Sequence, residues 1–185
     1  MILSICICAL NERAGKLALL LASLEKQIKD PEQVELVVEM DDRQITTGAK
    51  RNLLYQRAKG KYVCSIDDDD EVYPYYVEEI LKAVENDPDA IAMNGIMSIN
   101  GKFHASWSIS RFNPYIETRV NGKPHYLRYH NHLSPIRRSI ALQFPFPDKV
   151  FQEDYEFATA LHKAKAIKIE TRIDKPMYHY KKIQK

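Results

Sequence analysis

The sequence predicts an α/β fold in which a mainly parallel sheet is flanked by helices. Three observations predict it. Strand-like and helix-like runs alternate from residue 2 to residue 99, the order that crossover connections between parallel strands require. The polar turns at 9–13, 41–43 and 67–71 each follow a strand-like run directly. The chain's 185 residues, 45% of them hydrophobic, suffice for one full core and are too few for two ordinary ones. A single domain over 1–185 is therefore expected.

Residues 2–8 (ILSICIC) are a β-rich apolar run and give the first strand. Asn11 can cap the helix that follows over 13–28, where Leu17, Leu20, Leu21, Leu24 and Ile28 recur at helical spacing. Asp30-Pro31 ends it. Residues 34–40 (VELVVEM) give the second strand, and 47–59 a helix stopped by Gly60. Residues 62–66 (YVCSI) form the third strand and run straight into five acids. Pro74 suits the first turn of a helix carrying Val77, Ile80, Leu81 and Val84, and 90–99 is a fourth strand.

Beyond residue 99 the pattern changes. Asn100-Gly101 and Asn121-Gly122 are tight-turn signals between strand-like residues and predict hairpins or loops. Pro145 and Pro147 mark a loop. Residues 152–164 give an amphipathic helix through Tyr155, Phe157, Ala158 and Leu161, and 166–170 a short late strand. The basic tail at 181–185 is expected to fray.

A net charge of +2 gives no global field toward nucleic acid or membrane. The longest apolar stretch, 17–24, is far too short to span a bilayer. The cysteines Cys6, Cys8 and Cys64 lie in apolar strands without zinc spacing, so buried free thiols are expected. Their odd, unclustered number fits a reducing compartment, and no basic leader precedes the first strand, so a cytoplasmic location is expected.

In parallel α/β sheets ligands bind at the carboxyl ends of the strands. The acids there, Asp67, Asp68, Asp69, Asp70 and Glu71, are the strongest local signal. Two unit charges about 4 Å apart repel by roughly 1 kcal/mol in water and about 4 at an effective dielectric near 20. Carboxylates fixed this closely need a cation or must take up protons, and hard oxygen ligands favour Mg²⁺, Mn²⁺ or Ca²⁺. An EF-hand loop is a poor fit, because Val72 stands where its turn needs glycine and Pro74 follows. A solvated acidic turn is the plain alternative. The helix start carrying Lys50 and Arg51 favours anions. Beside a metal site it would suit a diphosphate; alone it is an ordinary charged helix start.

In order along the chain these motifs resemble family 2 glycosyltransferases of the GT-A fold, a Rossmann-like fold that handles nucleotide-diphosphate sugars. SICICALNERA resembles the family's first strand and nucleotide-binding turn, although ALNER stands where Pro-Thr-x-Asn is commoner. VVEMDD resembles its second strand. TTGAKRNLLYQRAKGKYVCSIDDDD matches its most specific stretch, ending in Asp-x-Asp-Asp, and FPFPDKVFQEDYEFATAL its later Glu-Asp pair opening a helix. The likeness is loosest over 98–133.

The resemblance implies a metal-dependent transfer of sugar with inversion, using Mn²⁺ or Mg²⁺. Ala9, Asn11, Glu12, Arg13, Asp41, Asp42, Lys50, Arg51, Asn52, Asp67 and Asp68 would contact the donor. Asp69, with Asp67 and the late His179, would bind the metal. Asp154 would be the base, with Glu153 as helper, although a first-turn acid also merely favours the helix dipole. Residues 1–98 would bind the nucleotide sugar and 99–185 the acceptor, with His132 and Trp107 as acceptor contacts. The acceptor class stays open: a saccharide, a lipid-linked glycan, a protein or a modified nucleic acid. Competing readings are a catalytically weak nucleotide-sugar-binding module, a nucleotidyltransferase of similar fold, and a nucleic-acid binder resting on Arg137, Arg138 and the basic tail.

Overall fold

A computed structural model describes residues 1–183. The first half follows the predicted alternation: β1 (Leu3–Leu10), a 3₁₀ turn (Asn11–Arg13), α1 (Ala14–Glu25), β2 (Val34–Asp41), α2 (Thr47–Arg57), β3 (Tyr62–Asp67), β4 (Glu71–Val72), α3 (Tyr76–Val84) and β5 (Ala90–Ile99). The second half adds β6 (Lys102–Ile109), β7 (Ile116–Val120), β8 (Lys123–Arg128), β9 (Ile136–Arg137), α4 (Arg138–Ala141), α5 (Glu153–Lys163) and β10 (Glu170–Lys182).

All ten strands join one sheet in the order β2-β1-β3-β9-β5-β6-β8-β7, with β10 beside β5 and β4. It is the α/β architecture that the alternation predicts, parallel through β2-β1-β3 and mixed beyond. Two-residue β9 pairs antiparallel with both β3 and the start of β5, so the first and second halves share one continuous sheet.

The apolar run of β1 is buried on both faces, as a strand between two helical layers must be. Ile5 and Ile7 pack with Leu17, Leu20 and Leu24 of α1 and Val77 and Ile80 of α3. Cys6, pointing the other way, joins Leu54 and Tyr55 of α2 and Phe157 and Leu161 of α5. The three cysteines are free, and burial pushes the Cys8 and Cys64 thiols up to about 12, which leaves them inert. Among the described residues no helix is long and apolar enough to cross a membrane.

Both Asn-Gly pairs form the expected hairpins, with Asn100, Gly101, Asn121 and Gly122 all at positive φ between paired strands. Other details depart from expectation. Asn11 lies inside the 3₁₀ turn and makes no cap; Arg13 precedes α1 without a side-chain capping hydrogen bond. Gly60 does not stop α2 by a left-handed turn, because Ala58 already leaves the helix in an extended conformation. Its role is clearance: a Cβ there would stand 2.5 Å from the Ser4 amide nitrogen. The late strand does not span 166–170. It begins at Glu170 and continues for 13 residues, with register shifts around Pro176 that accommodate the missing amide. Lys181 and Lys182 of the predicted basic tail belong to that strand, while Gln184 and Lys185 lie outside the described residues.

Glu170 anchors the start of β10. Its carboxylate accepts from the Ser110 hydroxyl at 2.6 Å and the Arg111 amide at 2.8 Å, and meets the His130 ring at 2.7 Å. Burial alone would raise its pKa, but His130 and these donors outweigh that and hold it at about 2.

Substituting Gly60→Ala should lower unfolding stability by about 1–3 kcal/mol through overpacking against β1; an unchanged urea midpoint would show that β1 yields instead. A carboxyl held below its unfolded value stabilises above the unfolded pKa, and that stability is lost as pH falls toward the folded one. Stability should therefore drop from about pH 4.5 toward pH 2, and Glu170→Gln should flatten that part of a pH-resolved unfolding series.

Candidate functional site

The turns after β1 and β3, the start of α2, the end of β8, the 131–133 segment and the start of α5 enclose a cleft of about 720 Å³. It opens at the carboxyl end of the parallel strands, where the sheet topology places a ligand.

Arg51 organises its floor. The side chain is 2% exposed, and its guanidinium bonds Asp67 at 2.8 Å and also Glu153. Burial opposes its charge, but Asp67 and Glu153 keep it firmly protonated. Burial would likewise raise Asp67, yet Arg51 and His132 hold its carboxyl well below the usual range. Glu153 stays raised, because burial outweighs the help from Arg51. α2 can approach α5 this closely because residue 48 is glycine: a Cβ there would sit 1.9 Å from the Pro147 carbonyl oxygen.

The other aspartates have different partners. Asp68 accepts from the Leu10 amide and from Arg13, both at 2.9 Å, and so fixes the turn after β1. Asp69 opens into the cleft, 3.1 Å from Arg13 and 3.8 Å from Lys16. Its pKa is raised, first by burial and then by Asp68 and Asp67, against the pull of Arg13. Asp70 accepts from the Tyr178 hydroxyl and the Lys181 amide, both at 2.7 Å. Burial and the Asp67 charge push it up to about 8, so it is the acid that takes up a proton. The mutual repulsion expected within the cluster is thus relieved by two arginines and one protonation.

His132 lies between two acids. One ring nitrogen is 3.8 Å from Asp67, the other 3.8 Å from Asp154, and neither nitrogen has a hydrogen-bond partner. Both carboxylates are beyond hydrogen-bond reach, so the two buried ring nitrogens face Asp67 on one side and Asp154 on the other without a partner. Asp154 itself, at the first turn of α5, keeps 38% side-chain exposure and lines the cleft. Trp107 forms part of the wall, seated over Gly95, where a Cβ would come within 2.1 Å of the indole.

Of the residues singled out in the sequence, Ala9, Arg13, Lys50, Arg51, Asp67, Asp68, Asp69, Trp107, His132, Glu153 and Asp154 converge on this cleft. Lys50 does so as a tie: its ammonium pairs with Asp41 and donates to the Ala9 carbonyl at 2.9 Å, joining β1 to β2. Asp41 is spent on that pair and on the amides of Arg43 and Ile45. Asn11, Glu12 and Asp42 do not line the cleft; Glu12 pairs with Arg43, and Gln44 takes the Asp42 amide. Asn52 exchanges two hydrogen bonds with the Phe146 backbone, at 2.8 and 2.9 Å, and so clamps the loop before α5. His179 meets Ser98 at 2.8 Å and Glu71 at 3.5 Å, while its strand neighbour Tyr180 lines the cleft. Successive strand residues face opposite ways, so His179 and Tyr180 present to different sides of β10. Tyr178, Tyr180 and Arg128 reach the site without any sequence motif to mark them.

Among the described residues no three His, Cys, Asp or Glu side chains converge as a metal cage. Mg²⁺ is commonly held by one or two carboxylates plus phosphate oxygens and water. Asp67 and Asp69, both opening on the cleft, fit an ion that arrives with a diphosphate; they do not make a closed resident site.

Arg51→Ala would leave the buried Glu153 and the part-buried Asp67 without their cation. A loss of about 3–5 kcal/mol is expected, read as a fall in the denaturation midpoint. A loss below about 1 kcal/mol would show that water replaces the guanidinium.

The family described as "Glycosyl transferase family 2" matches residues 37–144, more than half of the chain. No curated protein matches the sequence. Among solved structures, that of S. aureus TarS 1-349 superposes with a TM-score of 0.71 at 15% identity, covering 98% of this chain and 60% of that one. The same protein in complex with UDP gives a TM-score of 0.69 at 17% identity, with 98% and 60% covered. In complex with UDP-GlcNAc it gives 0.67 at 15% identity, with 100% and 60% covered. The chain therefore spans about 60% of the length of these structures, and the likeness is one of fold.

Proposed function

The chain belongs to glycosyl transferase family 2, and from that premise we propose that it moves a sugar from a nucleotide-diphosphate sugar to an acceptor hydroxyl with inversion. The carrying observation is the meeting of Asp154 with Asp67, Asp69 and Arg13 in one cleft. A carboxylate with access to solvent stands across from a pair of carboxylates and a cation suited to a diphosphate. The two similar structures that hold UDP and UDP-GlcNAc make a uridine-diphosphate sugar the first donor to try.

In this reading residues 1–98 hold the donor and 99–185 the acceptor. Asp154 takes the proton of the acceptor hydroxyl as that oxygen forms its bond to the anomeric carbon. The bond from that carbon to the diphosphate breaks, and its electron pair leaves with the nucleotide. Asp67 and Asp69 would hold Mn²⁺ or Mg²⁺, which when bound would neutralise charge on the leaving diphosphate. Arg13, already between Asp68 and Asp69, adds fixed positive charge there. Glu153 is held by Arg51 and serves to position its neighbour. The unpartnered Nδ1 of His132, on the Asp154 side of the ring, suits a hydrogen bond to an acceptor group that reaches it beside the base. Trp107 and Tyr126 wall the acceptor side.

A module that binds nucleotide sugar without turnover is the reading to separate. Asp154→Asn should leave donor affinity unchanged in calorimetry and lower transfer by about 10²–10⁴-fold, whereas Asp69→Asn should weaken donor binding only when divalent metal is present. Near-wild-type turnover in Asp154→Asn would put the base elsewhere, and donor binding indifferent to chelator would remove the metal from the mechanism.

A further inference from the structure

A second concavity, of about 440 Å³, opens at the C-terminal end of α5. Ala158, Leu161 and Ile167 give it an apolar floor, and Phe112 stands at its rim, 74% exposed. Arg111, Lys165 and Lys168 line it, and no carboxylate does. The Arg111 guanidinium donates to the carbonyls of Ile167, at 3.1 Å, and Lys168, and lies over the Phe112 ring at 4.4 Å. None of these partners neutralises its charge. Neither lysine makes an ion pair among the described residues. The Glu170 carboxylate, bonded to the Arg111 amide and the His130 ring, offsets part of this charge, and the three cations leave the concavity net positive around an apolar surface.

A line of ring contacts connects it to Asp154. His162 stacks on Tyr129 at 3.7 Å, Tyr129 touches Tyr115 at 5.5 Å, and Tyr115 meets the edge of Tyr155 at 4.9 Å. Tyr155 follows Asp154 directly on α5. Arg128, which lines the main cleft, lies over Tyr115 at 4.4 Å. From Asp154 to His162 the helix advances about 12 Å, further than one sugar ring reaches. Aromatic side chains combine apolar faces with polar edges, which matches sugar rings with apolar C–H faces and hydroxylated rims.

We propose that this concavity is a distal acceptor subsite, holding a negatively charged residue of an extended oligosaccharide whose reacting hydroxyl lies at Asp154. The proposal rests on the glycosyltransferase reading and names its acceptor class. Nucleic acid fits less well, because its evenly spaced phosphates call for a stripe of cations, and here the cations surround a single apolar floor.

The test is calorimetric binding, without donor, of hexasaccharides that are carboxylated, sulfated, phosphorylated or uncharged, with single-stranded DNA of matched charge alongside. At least one acidic hexasaccharide should bind ten times more tightly than the uncharged one. Lys165→Glu combined with Lys168→Glu, and separately Phe112→Ala, should weaken that binding tenfold or more. These exposed substitutions should leave donor binding by thermal shift unchanged, so a failed donor assay in the wild type would count against the glycosyltransferase reading and not against the subsite. Absence of binding by every acidic hexasaccharide, binding indifferent to the variants, or equal binding of DNA through the same residues would overturn the proposal.

Discussion

Arg51 is buried where α2, β3 and α5 meet, and its guanidinium is the positive charge that lets Asp67 and Glu153 share one interior. Ions removed from water cost several kcal/mol each unless well paired, so this arrangement is stable only with all three elements in place. That constraint ties the acid end of a first-half strand to the helix that presents Asp154. Gly48 permits the close approach, and Asn52 clamps the intervening loop through the Phe146 backbone. The cleft's two walls are thereby set against each other before any ligand enters.

The acid cluster shows how a fold distributes a charge problem that sequence alone presents as one object. Four consecutive aspartates receive four environments. Asp67 takes Arg51, Asp68 the turn after β1, and Asp70 a proton beside Tyr178. Asp69 remains, opening on the cleft with its pKa raised. Paired among the described residues only with the partly exposed Arg13 and Lys16 and set among neighbours of its own sign, it is the carboxylate that, in the proposed reaction, suits a divalent cation brought with a diphosphate. The alternation of side chains along a turn, not the run of identical letters, decides which aspartate that is.

Several side chains singled out in the sequence have partners within the protein, because a polar side chain has two ways to satisfy itself. Lys50 and Asn52 sit at a helix start that suits anions, yet both are used inside the protein, one on Asp41 and Ala9, the other on Phe146. His179 belongs to a motif that resembles a metal ligand, but strand pleating turns it toward Ser98 and Glu71. The long β10 escaped notice because Asp174, Lys175 and Pro176 interrupt its apolar pattern, and only pairing with β5 on one side and β4 on the other makes it a strand. Residues such as Arg128 and Tyr180 carry no local pattern at all and enter the cleft through tertiary packing.

The sequence by itself determined the α/β class, the first-half elements to within a few residues, both hairpins and the family. The class, the elements and the hairpins follow from local physics: periodicity, turn chemistry at Asn-Gly, and polar turns placed directly after buried strands. The family follows from the resemblance of motifs along the chain, which the family match over residues 37–144 bears out. The resemblance also pointed to Asp67, Asp69 and Asp154, and all three line one cleft. Only the tertiary structure decided which charges are paired inside the protein, that β9 joins the parallel β2-β1-β3 strands to β5 and the mixed strands beyond, and that His132 stands between Asp67 and Asp154 with both ring nitrogens unpartnered. The reason is range. Those outcomes depend on pairs such as Arg51 with Glu153, separated by 102 positions along the chain, whose meeting is fixed by how the layers pack and not by any neighbour in sequence.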